Sequence, residues 1–117
     1  AEAIEILNEP QNQKSIGLKT ESLIYQPFIV EQGQSKLMFV FWMVGDDCEA
    51  HIACKKNSIL DARSMCKELI EWLFSLGVKR IITNCPKGII SNMAKKVGMK
   101  EYKQDENLIY YEVLSWV

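Results

Sequence analysis

Residues 62–102 carry a pattern that few folds satisfy: an amphipathic helix, a glycine, a β-branched strand, a short helix, a second glycine and another strand. Ala62, Met65, Cys66, Leu69, Leu73 and Leu76 recur at steps of three or four, which puts them on one helix face turned toward a sheet. Gly77 stands where a left-handed residue ends that helix, and Gly98 repeats the stop after a helix over 88–97. Between them, 78–83 (VKRIIT) is rich in β-branched residues and reads as a strand. Strand, helix and strand in this order require a crossover, so the strands on either side of the long helix are predicted to be parallel.

Upstream, three strands follow one another closely. The first is 25–31, with Pro27 marking an edge or a bulge near its start. The second, 36–44 (KLMFVFWMV), is apolar on both faces, as a central strand covered on two sides is. Gly45-Asp46-Asp47 turns the chain into a third strand over 48–56, and such short connections imply an antiparallel meander. Residues 2–7 (EAIEIL) alternate and are predicted as a further, first strand, followed by a polar loop. A final hairpin joins 100–102 to 108–114. The whole predicts one α/β (α+β) domain over 1–117. Its mixed central sheet has about six to seven strands, a meander followed by a parallel β-α-β crossover, with helices on both faces.

Composition narrows the partners. A formal net charge of −1 with scattered lysines and arginines gives no reason to expect nucleic acid. The longest apolar run, 37–44, is far short of the about 20 residues a membrane helix needs, and the N-terminus lacks the basic and apolar regions of a signal peptide. No membrane partner is expected, and the chain reads as working in a cytoplasm. Four cysteines at irregular spacing and a single histidine form no zinc pattern, so no metal is expected and the thiols read as reduced and structural. Trp42 and Trp72 are expected in the core. Trp116, at the end of the last strand, is expected either to dock on a protein partner or to fold back.

Two strings point to a family. LIEWLFSLGVKRI (69–81) resembles the end of the third helix and start of the fifth strand of GNAT-type N-acetyltransferases. KKVGMKEY (95–102) resembles their recurring Lys-Leu-Gly-Phe-Lys-Glu element, with Val97 and Met99 in place of Leu and Phe. The resemblance covers about 25–114, with a shortened front, and it implies the GNAT fold and acetyl-CoA as cofactor. In that family a Gln/Arg-x-x-Gly-x-Gly/Ala loop holds the coenzyme pyrophosphate on backbone N–H groups at a helix N-terminus. The corresponding residues here are Asn57-Ser58-Ile59-Leu60-Asp61-Ala62. Ala62 keeps to the pattern, and Asn57 and Ser58 are candidates for the same site, though both suit a helix cap better. Leu60 replaces a glycine, and Asp61 puts a carboxylate where the phosphates would sit. At an effective dielectric of about 20, like charges ~5 Å apart repel by about 3 kcal/mol. The family's general-acid tyrosine corresponds to Ala94, and Asn84 is the asparagine nearest the family's usual position at the second helix.

Glu49 and His51 lie two residues apart on one strand face. In an acetyltransferase either would act as the base that deprotonates an amine through water; alternation with Ala50, Ile52 and Cys54 equally fits a plain solvent-facing pair. These departures lead to two expectations. One is a GNAT-like chain with an eroded coenzyme loop, used as a non-catalytic binding or assembly module. Such chains resemble acetyltransferase-like head-assembly and internal virion proteins of short-tailed phages, which would place it in a host cytoplasm or virion. The other is an active acetyl-CoA-dependent N-acetyltransferase with an atypical cofactor loop.

Overall fold

Two tight hairpins start the sheet in the computed structural model, which describes residues 5–6, 8–9, 27–55 and 59–115. β1 (Phe28–Gln32), β2 (Ser35–Val44) and β3 (Asp47–Cys54) form an antiparallel meander. α1 (Ile59–Ser75) then crosses to β4 (Arg80–Cys85), which runs parallel to β3. α2 (Ile89–Lys96) leads into β5 (Lys100–Gln104), and β5 turns into β6 (Ile109–Leu114), antiparallel to both β5 and β4. The strand order is β1-β2-β3-β4-β6-β5. This is the mixed sheet, meander and parallel crossover that the sequence predicts.

Register divides the side chains between two faces. Phe39 and Phe41 of β2 pair with Ile52 and Ala50 of β3, and Phe41 meets Trp72 of α1 edge-on at 5.8 Å. That face therefore carries α1. α2 lies on the same side, since its Met93 Sδ is 3.4 Å from Cys66 Sγ of α1. On the opposite face Met38, Val40 and Ala53 are also closed to solvent, each at 0 % exposure, so the sheet is covered on both sides over β2 and β3. Ile6 belongs to the same buried cluster.

Both helices end by one device. Gly77, at φ 98, donates to Phe74 O and Val78 donates to Leu73 O. Gly98, at φ 97, donates to Lys95 O and Met99 to Ala94 O. These paired bonds satisfy the last carbonyls of each helix, and the apolar residue after each glycine lies over the last turn. They also explain why β4 begins at Arg80 rather than at Val78: Val78 is used in closing α1.

Other expectations shift. Of the strand predicted over 2–7, the two described residues, Glu5 and Ile6, are helical rather than extended. The core stripe of α1 ends at Leu73, and Leu76 is 59 % exposed because the chain is already turning away. Trp72, expected inside, is 43 % exposed; it lies on the flank of α1 rather than on its core face. Tyr25, Lys56, Asn57, Ser58 and Trp116 lie outside the described residues.

An added Cβ at Gly77 or Gly98 meets no atom within 4 Å, so substitution there costs backbone strain alone. Gly77→Ala and Gly98→Ala are each expected to lower stability by about 1 kcal/mol. Thermal unfolding should show this as a fall in Tm of roughly 4–8 °C.

Candidate functional site

The junction between β3 and β4 is the weakest seam of the sheet. β4 pairs with β6 at all six of its residues, but with β3 only through Cys48–Ile81 and Glu49–Ile82. Beyond those rungs the two parallel strands part. The closed end is pinned from the face opposite the helices by Arg80, whose Nη1 donates to Asp47 Oδ2 of β3 at 2.7 Å. Its Nη2 and Nε donate to Glu112 Oε2 of β6 at 2.6 and 3.0 Å. The guanidinium also lies over the Tyr102 ring of β5, 5.0 Å from its centre. One planar cation thus bridges four strands, and hydrogen bonding to Glu112 raises its pKa further.

The parted strands and the two helices enclose a pocket of about 620 Å³, its open mouth included. Leu69, Ile70 and Leu73 of α1 form one wall, and Ile90, Met93 and Val97 of α2 another. Apart from His51, Thr83 and Asn84, its lining is carbon and sulfur. His51 and Asn84 occupy strand positions of the opposite face, and both reach the pocket because the gap between β3 and β4 is open from either side.

Glu49 and His51 come together as the sequence suggests, with Nε2 and Oε2 2.6 Å apart. They are not a solvent-facing pair. His51 is 6 % exposed, and its ring is stacked on Trp42, with 5.2 Å between centres. Nε2 is taken up by the carboxylate, so Nδ1 is the other polar atom of the ring. Of the coenzyme-loop candidates, Ala62 is fully buried and packs on the sheet, while Asn57 and Ser58 lie outside the described residues. Asp61 sits in the first turn of α1, where its carboxylate complements the helix dipole. Ser35 Oγ, from the start of β2, donates to Asp61 Oδ2 at 2.5 Å and fixes it there. Ala94 is buried in the pocket wall and offers no proton.

All four cysteines are buried. Burial pushes the Cys66 thiol up to about 12 and the Cys54 and Cys85 thiols up to about 11, so they are protonated at neutral pH and poor nucleophiles. Arg80 and Ser35 are the residues that sequence reasoning misses. Their roles depend on which strands become neighbours, and no local pattern announces that.

No family model matches the sequence, and no curated protein sequence does either. Solved structures do match in fold. The N-acetyltransferase PseH of Campylobacter jejuni, in complex with acetyl coenzyme A, superposes with a TM-score of 0.59 at 16 % identity, covering 71 % of this chain and 70 % of that one. A spermidine N-acetyltransferase chimera, of SpeG from Vibrio cholerae and hSSAT, gives 0.60 at 13 % identity over 75 % and 65 %. The ribosomal-protein-alanine N-acetyltransferase of Brucella melitensis gives 0.57 at 14 % identity over 74 % and 67 %. The chain has the GNAT acetyltransferase fold, and at these identities the likeness is one of fold.

The raised thiol pKa values set an alkaline limit. An unfolded thiol titrates near its ordinary 9.0, below the folded values, so above pH 9 the unfolded chain binds fewer protons. Stability is therefore full below that pH and falls as pH rises toward the folded values, by up to about 1.4 kcal/mol per pH unit for each thiol. Urea unfolding from about pH 8 to about pH 10 should show this decline, and Cys66→Ala should make it shallower.

Proposed function

We propose that this chain is a GNAT-like binding or assembly module, whose slot has lost the cofactor clasp and acid of an acetyltransferase. The observation that carries the reading is Asp61, held by Ser35 at the N-terminus of α1. A helix N-terminus attracts phosphate through its N–H groups and dipole; here a carboxylate held in the first turn opposes an incoming anion. Ala94 supports the same reading from the other wall, where no hydroxyl is available to protonate a leaving thiolate. The apolar lining that remains suits a carbon-rich ligand with few polar groups. The resemblance to virion assembly proteins of short-tailed phages supplies the context for assembly. Virion genes beside its own would support that half of the reading, and their absence would remove it. Calorimetric titration with acetyl-CoA is expected to give no saturable heat below about 1 mM. Saturation near ~1 μM would overturn the proposal.

A second reading, an active N-acetyltransferase with an atypical cofactor loop, is favoured by one observation: the Glu49–His51 contact beside the slot. On this reading His51, oriented by Glu49, takes the amine proton. Glu49→Gln and His51→Ala should then each lower turnover by about 10²-fold or more, with acetyl-CoA affinity retained. Equal rates in wild type and both variants would remove the pair from any catalytic role.

A further inference from the structure

Two backbone rungs and one ion pair mark the closed end of the seam. The rungs are Cys48–Ile81 and Glu49–Ile82, and one position below them Asp47 stands beside Arg80. Both strands are fully paired on their other edges, β3 with β2 and β4 with β6. Arg80 and Glu112 both belong to the β4–β6 side, so their contact survives when the seam opens. Arg80 to Asp47, at 2.7 Å, is the one ion pair among the described residues that crosses from β3 to β4.

The pair is open to water. The Arg80 and Asp47 side chains are 29 % and 31 % exposed, so both charges are hydrated on separation. Arg80 also keeps Glu112 and the Tyr102 ring as partners. A pair shut inside the core has no such outlet and resists release. Cys48 marks what lies behind it. Its backbone forms the rung next to the ion pair, its side chain is on the helix face, and it is fully buried. The slot stops short of it: Ala50 and Ile52, on the same face of β3, line the cavity and Cys48 does not.

We propose that the Asp47–Arg80 pair is a latch that sets how far the slot runs along the seam. With the pair broken, the two rungs fray, the gap reaches Cys48, and the cavity lengthens by about two residues of strand, ~7 Å. The slot thus has a short state and a long one, and an ion pair on the opposite face of the sheet selects between them. On the reading of the slot as a binding cavity, a ligand too long for the short state enters only with the latch open. The latch itself does not depend on that reading, and its test uses no ligand.

Brief pulses of methyl methanethiosulfonate on the folded chain, read at each cysteine by peptide mass spectrometry, report the two states. Asp47→Asn and Arg80→Met are each expected to speed labelling of Cys48 about fivefold, through loss of one charged hydrogen bond at a partly exposed site. Asp47→Asn removes a negative charge near the thiol and Arg80→Met a positive one. Their direct effects on thiol reactivity are therefore opposite, and a rise in both variants is not electrostatic. Cys54, buried on β3 outside the slot lining, should keep its wild-type rate. Glu112→Gln alters a contact within one side of the seam and should leave Cys48 within about twofold of wild type. Unchanged Cys48 labelling in Asp47→Asn and Arg80→Met overturns the proposal. So does a rise at Cys48 matched at Cys54, which means general unfolding. An equal rise in Glu112→Gln overturns it too, because net charge and not the bond across the seam is then the cause.

Discussion

Two rungs of parallel pairing, clamped at one end by Arg80, govern the rest of the molecule. Because β4 is bonded in full to β6 and only at Cys48 and Glu49 to β3, the sheet can part without exposing a long ladder to solvent. The parting makes the pocket, admits His51 and Asn84 to it from the far face, and leaves α1 and α2 to roof it. Arg80 holds Asp47, Glu112 and Tyr102 at the point where divergence begins. An uncharged side chain there would leave two acidic groups facing each other across the seam.

The slot depends on strand pairing and apolar packing, and those are intact. At the start of α1, Asp61 stands in the first turn with Ser35 as its partner. The helical walls of the pocket are finished in Leu, Ile, Met and Ala, and its polar side chains, His51, Thr83 and Asn84, come from the strands.

What the sequence made legible was local. The three-to-four repeat of α1 and the two glycine stops follow from backbone geometry within a few residues, and the structure bears them out in its paired closing bonds. The antiparallel meander and the parallel crossover follow from connection length. Predicted alternation placed Glu49 and His51 on one face but did not say that Trp42 covers the imidazole. The same limit applies to Asp61, whose charge was readable and whose partner on β2 was not. Residues 2–7 alternate like a strand, yet Glu5 and Ile6 are helical; a six-residue alternation is too short to distinguish a strand from a turn of helix with one buried residue. Arg80 gave no sign at all, since each of its three partners arrives from a different strand.

The narrow seam also bears on how the molecule breathes. It divides the described sheet into a β1–β2–β3 trio and a β4–β6–β5 trio, each joined internally by longer ladders than the one between them. Such an arrangement favours two cooperative units, which open against each other at less cost than either loses its own hydrogen bonds. Amide protons along the seam would then exchange with solvent sooner than those at the centres of β2 and β4. The slot would be the line along which the domain first comes apart.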